Sequence, residues 1–123
     1  MKNIRIRSSR ALLPAIFAML FIVAMSGDAR SQTAAPDFSK VVIKTTKVTN
    51  NFYTLEGQGG TIGVLTGTDG VLLVDTQFAP LTDKIVAAIK QVSTAPIRFV
   101  LNTHVHGDHP GGNENIGKLG ATI

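Results

Sequence analysis

The sequence predicts an α/β (α+β) fold: an antiparallel meander, one crossover helix, and a strand returning parallel to the last strand of the meander. Three observations carry this reading. Four short runs rich in β-branched and aliphatic residues lie between positions 41 and 75, joined by turns of three or four residues. After Pro80 the apolar period lengthens from two residues to three or four. A compact apolar run, Ile97-Arg98-Phe99-Val100-Leu101, then follows directly.

Residues 41–48 (Val-Val-Ile-Lys-Thr-Thr-Lys-Val) form the first expected strand, after a short tether over 36–39. Thr49-Asn50-Asn51 is a turn, and Phe52-Tyr53-Thr54-Leu55-Glu56 is the second strand. Gly57-Gln58-Gly59-Gly60 reverses the chain, and having no large apolar residue it reads as a plain hairpin turn rather than a flap. Residues 61–66 are the third strand, Gly67-Thr68-Asp69-Gly70 is a tight turn, and Val71-Leu72-Leu73-Val74-Asp75 is the fourth. The fourth strand is apolar on both faces, which predicts a central position in the sheet.

Leu81, Ile85, Ala88, Ile89 and Val92 share one helical face while Asp83, Lys84, Lys90 and Gln91 take the other, predicting a helix over about 80–92. Pro80 suits its first turn, and Asp83 suits its positive end. Short connections make the first four strands antiparallel, whereas a strand, helix and strand in succession pair in parallel. Residues 113–119 fit a short helix, and Gly120-Ala121-Thr122-Ile123 fits the opening of another strand.

Before the domain, residues 1–10 are basic and residues 11–25 are an apolar run interrupted only by Pro14. Small and polar residues follow. This is the layout of a secretory signal peptide over 1–31, with cleavage after Ala29 or Ser31, and the run is short for a membrane span. An uncleaved N-terminal anchor is the alternative. Either way a secreted or periplasmic location is expected for the domain over 32–123, with no other membrane association. Lys2, Arg5, Arg7 and Arg10 against Asp28 give residues 1–29 a net charge of +3; the remainder carries 8 basic and 7 acidic residues, a net of +1. The basic balance of the chain therefore belongs to the leader and makes no case for nucleic acid. With no Trp and one Tyr, the composition does not favour an aromatic stacking platform either. With no Cys, disulfides, thiolate ligands and a cysteine nucleophile are excluded. Nothing in the sequence fixes an oligomeric state.

The chemistry gathers after the last expected strand. All three histidines of the chain fall within His104-Val105-His106-Gly107-Asp108-His109, flanked by Asn102-Thr103 and Pro110-Gly111-Gly112-Asn113. Imidazole and carboxylate are the nitrogen and oxygen ligands of zinc and similar ions. In extended backbone His104 and His106 point to one side and can share a metal at ~2.0–2.1 Å. Gly107 then allows a sharp turn, so that Asp108 and His109 serve a second site. Two metals ~3.5–4 Å apart can hold a hydroxide, with Asp108 as ligand and as the group orienting that nucleophile. Asn102 and Asn113 read as turn residues, Glu114 as a solvated carboxylate, and Asp75 as a strand-end residue.

The run His104-Val105-His106-Gly107-Asp108-His109 with Gly111-Gly112-Asn113 resembles the first metal motif of the metallo-β-lactamase superfamily. Gly70-Val71-Leu72-Leu73-Val74-Asp75-Thr76 looks like that family's preceding strand and aspartate, and the likeness covers about residues 41–123. The resemblance implies an αββα sandwich and two zinc ions. It assigns His104 and His106 to the first ion and Asp108 and His109 to the second, with Asp75 supporting the loop. His109 places the chain with the all-histidine and aspartate type rather than the cysteine-ligand type. The implied activity is hydrolysis of a lactam, ester or related bond in a small molecule by a metal-bound hydroxide. Iron-dependent relatives such as sulfur dioxygenases share the motif, which makes an oxidoreductase the alternative.

The family supplies further ligands downstream, and no histidine follows position 109. The sequence is therefore expected to represent the N-terminal portion of the fold, incomplete at its C-terminus. Taken alone, the 123 residues would bind metal weakly, leave one sheet face uncovered and show little turnover.

Overall fold

The structure, a computed structural model, describes residues 36–123. The signal peptide and the expected domain start at 32 lie outside these residues. Among the described residues no helix is long and apolar enough to cross a membrane.

Five strands form one mixed sheet in the order of the chain: β1 Lys44–Lys47, β2 Phe52–Glu56, β3 Thr61–Gly67, β4 Gly70–Val74 and β5 Ile97–Leu101. The first four pair antiparallel and β5 joins β4 in parallel. Helix α1, Thr82–Lys90, makes the crossover, entered by a 3-10 turn at Ala79–Leu81 that contains Pro80. A short helix α2, Asn113–Gly117, follows the histidine loop.

One face of the sheet carries the core. Registered pairs Leu55–Ile62 and Val64–Leu73 lie on that face, and all four side chains are inaccessible to solvent. α1 lays Ile85, Ala88 and Ile89 against them, and Leu81 and Ile116 belong to the same buried cluster. Each such aliphatic side chain contributes about 1.5–3 kcal/mol on burial. β5 joins this face through a register shift: Val71 pairs with Ile97, but Leu72 pairs with Phe99. Arg98 is the extra residue of the bulge, and the shift lets both Ile97 and Val100 point inward.

Three local expectations are sharpened. The first strand is confined to Lys44–Lys47. Residues before it are held by the helix instead, because the Lys84 ammonium donates to the carbonyls of Phe38, Ser39 and Val41 at 3.0, 2.7 and 2.6 Å. β4 lies between β3 and β5 as its composition requires, but only Val71 and Leu73 are fully buried, Leu72 and Val74 being half-buried. The last residues make a single parallel bridge, Phe99 to Thr122, rather than a strand.

This topology decides where a site can be. β4 and β5 are parallel, so both exit at the same sheet edge, and the antiparallel turn between β2 and β3 arrives at that edge too. Loops at the carboxyl ends of parallel strands are the usual place for chemistry in such sheets.

Candidate metal centre

The exit of β4 grips the loop that leaves β5. The amide of Asp75 donates to Leu101 O at 2.8 Å, extending the parallel ladder by one bond. The backbone then turns left-handed at Asp75 (φ 67°) and again at Gln77 (φ 53°). Such turns cost about 1–3 kcal/mol each outside glycine, and they aim three successive side chains into the fold. Asp75, Thr76 and Gln77 are at most 2% exposed.

Asp75 is the hub. Its carboxylate accepts from Thr103 N at 2.8 Å, from the Thr103 hydroxyl at 2.7 Å and from His109 Nδ1 at 2.7 Å. Burial opposes its charge, yet these hydrogen bonds, with a contribution from Asn102, outweigh burial and hold the carboxyl below its usual range. An ionised carboxylate only accepts, so His109 donates from Nδ1, and in the neutral imidazole the lone pair lies on Nε2. The Thr103 proton is likewise spent on Asp75. The 3.0 Å contact between Thr103 Oγ1 and His104 Nδ1 is therefore a donation from His104, and His104 Nε2 is bare as well. One buried carboxylate thus fixes two imidazoles in one tautomer, the first directly and the second through a hydroxyl.

Thr76 and the two asparagines close the loop. The Thr76 amide donates to His109 O at 2.7 Å, and Gly112 N donates to the Thr76 hydroxyl at 3.1 Å. Asn113 Nδ2 donates to Asn102 Oδ1 at 2.6 Å, and Asn102 Nδ2 returns a bond to Asn113 Oδ1 at 3.3 Å. The Gly111-Gly112 pair makes this approach possible. A Cβ at Gly111 would lie 2.5 Å from Gly107 O, and one at Gly112 would lie 2.7 Å from Thr76 O.

The four predicted ligands are brought together as two pairs. His104 Nε2 lies 3.1 Å from His106 Nδ1, with the rings edge to face. Asp108 Oδ2 lies 3.6 Å from His109 Nε2. The rings of His104 and His109 touch, with centroids 3.9 Å apart, so the pairs are neighbours. Two ligands at ~2.0–2.1 Å from one tetrahedral ion stand about 3.3 Å apart. Both separations are close to that bite, and the bare Nε2 atoms belong one to each pair. The donor set therefore fits two divalent ions. No group of three donors among the described residues is arranged around one point, so each pair offers two ligands.

Asp75 and its partners show how the residues outside the ligand set act. Gln77 was not distinguished by sequence, and Thr76 and Thr103 only as the neighbours of Asp75 and His104. Asn102 and Asn113 prove to be each other's partners, a pairing that spacing cannot show. Glu114 is exposed and paired with Lys118 Nζ at 2.6 Å.

The sequence profile described as metallo-beta-lactamase superfamily matches residues 55–121. No curated protein matches the chain. Among solved structures, a class B3 di-zinc metallo-beta-lactamase from an Alaskan soil metagenome is 22% identical over 73% of this chain and 35% of its own, with a TM-score of 0.62. A subclass B3 metallo-beta-lactamase of Bradyrhizobium japonicum is 28% identical over 66% and 32%, with a TM-score of 0.58. A metallo-beta-lactamase from Novosphingobium pentaromativorans is 27% identical over 64% and 30%, with a TM-score of 0.59. The chain thus spans about a third of the length of these proteins.

Proposed function

Because the chain belongs to the metallo-beta-lactamase superfamily, we propose that it carries the first metal-binding set of an exported, zinc-dependent hydrolase acting on a lactam, ester or related bond of a small molecule. The observation that carries this reading is the pairing of potential donor atoms: His104 Nε2 with His106 Nδ1 at 3.1 Å, and Asp108 Oδ2 with His109 Nε2 at 3.6 Å. Neutral imidazole and carboxylate suit zinc, and two such ions supply Lewis acidity and a water ionised near neutral pH.

The chain's own residues do the rest. Asp75 orients His109 and, through Thr103, His104, so that their Nε2 atoms would be available to hold the ions. Asp108 offers one oxygen beside His109 and keeps the other free to accept a hydrogen bond from the attacking water, which orients it. Gly111 lets the loop close behind Asp108, since a Cβ at Gly111 would lie 2.5 Å from Gly107 O. Export is supported by the basic residues 1–10 and the apolar residues 11–25.

Zinc content after purification, followed by turnover of a chromogenic β-lactam beside a lactone and a thioester, tests the reading. Bound zinc that falls in His106→Ala and Asp108→Asn, with hydrolysis of one of these substrates, is the expected result. Bound iron with oxygen consumption would overturn it. Intact-mass measurement of the secreted product, expected to begin at residue 30 or 32, tests export.

A further inference from the structure

We infer that the Gly59-Gly60 backbone and Gln77 are positioning residues for the second donor pair, Asp108 and His109. The inference rests on the reading that this pair receives a metal ion. The turn between β2 and β3, expected to be a plain reversal, lies against both donors. A Cβ at Gly60 would sit 2.6 Å from His109 Cε1 and 3.0 Å from its Nε2. A Cβ at Gly59 would sit 2.7 Å from Asp108 Cβ and 3.4 Å from its Oδ2. The wall behind the pair is therefore bare backbone, with no room for a side chain between it and the two donors. Gly59 also has φ 91°, a conformation that side chains disfavour.

Gln77 sets where that wall stands. Its side chain is inaccessible to solvent, and its Nε2 donates to Gly60 O. Its own carbonyl accepts from Gly112 N at 3.0 Å. One residue thereby ties the glycine turn to the histidine loop. Its Oε1 has no partner among the described residues, and a Cβ at Gly57 would lie 2.9 Å from it. A buried carboxamide with an unpartnered oxygen and a left-handed backbone is unfavourable in itself. What it secures is the placement of Gly60 against His109. Among the described residues no glycine has His106 as a nearest neighbour in this way, so the effect is specific to the second pair.

Proton NMR of the metal-free chain gives the first test: a cross-peak between Gly60 Hα and His109 Hε1 is expected, and its absence overturns the inference. Cobalt titration with histidine-ring NMR gives the second. In Gly60→Ala the His109 ring signals should move, and affinity for the ion at Asp108 and His109 should fall roughly tenfold, as for partners of metal ligands generally. The metal-induced shifts of His106 should stay as in the unaltered chain. Gln77→Leu, which adds no bulk at the site, should give the same selective change in smaller measure. Gly67→Ala, where the nearest atom to an added Cβ is 3.8 Å away, serves as the neutral control. Unchanged His109 signals in both test variants, or equal losses at both pairs, would refute the role. If the unaltered chain takes up no cobalt, the metal reading fails, while the metal-free spectra still decide the inference.

Discussion

A single carboxylate organises the site at the level of residues. Asp75 is 2% exposed, and it is tolerable there because three hydrogen bonds reach it from Thr103 and His109. Thr103 is the residue through which its influence reaches His104. In Thr103→Val the hydroxyl is lost at constant shape, and His104 is free to turn or change tautomer. Metal affinity at His104 and His106 should fall about 10–100-fold, read by calorimetric titration, and Thr103→Ser should restore most of it. Asp75 also gives a pH dependence. Its folded pKa lies below the unfolded value, so its contribution to stability is complete above the ordinary carboxylate range and is lost as pH falls through the folded pKa. The urea midpoint of the unaltered chain should therefore exceed that of Asp75→Asn at pH 7, and the two should converge in acid. A gap that persists below the folded pKa would assign the effect to shape rather than charge.

Elements carry the site by where they end. β4 and β5 finish side by side because the helix between them forces parallel pairing. That much was legible in sequence: the change of period after Pro80, the apolar 97–101 run and the clustered histidines are all local signals. The grip itself was not. Thr76, Gln77 and the Asn102–Asn113 pair act across 11 to 37 positions of sequence, and nothing in residue type announces a partner that far away. Gln77 is the sharpest case, since its left-handed backbone breaks a local preference for the sake of a distant contact. The first strand was overextended for a related reason. Its β-branched composition describes a strand, but Lys84 captures the carbonyls of residues 38, 39 and 41. Lys84→Met keeps the aliphatic stem and removes all three bonds. Amide exchange over residues 38–47 should accelerate by roughly tenfold or more, the scale of one charge-assisted hydrogen bond. The amides of Val64 and Leu73 should be unaffected, and a uniform acceleration would show that Lys84 supports the whole fold instead.

On the largest scale, the sheet is covered on one face only among the described residues. The core lies between that face and α1, while the other presents a row registered across four strands: Phe52, Leu65, Leu72 and Phe99. Beside this row stands Leu101, opposite Val74. Leu65, Phe99 and Leu101 are 40%, 50% and 58% exposed. Scattered apolar residues on a surface are ordinary, but a contiguous row of this kind attracts apolar partners. The strand register shows which side chains form this face. The described residues should therefore bind a hydrophobic reporter dye in their folded state and self-associate as concentration rises. Leu65→Lys with Leu101→Lys should reduce both, because the charges fall within the row. Neither residue is in the core, so the thermal midpoint should move little. Leu73→Ala, on the opposite face of the same sheet, should instead cost about 2–5 kcal/mol and leave the folded protein's dye binding in place. If the two lysines lower stability as Leu73→Ala does, the outer face is being buried by the chain itself, and the one-sided core described here is wrong.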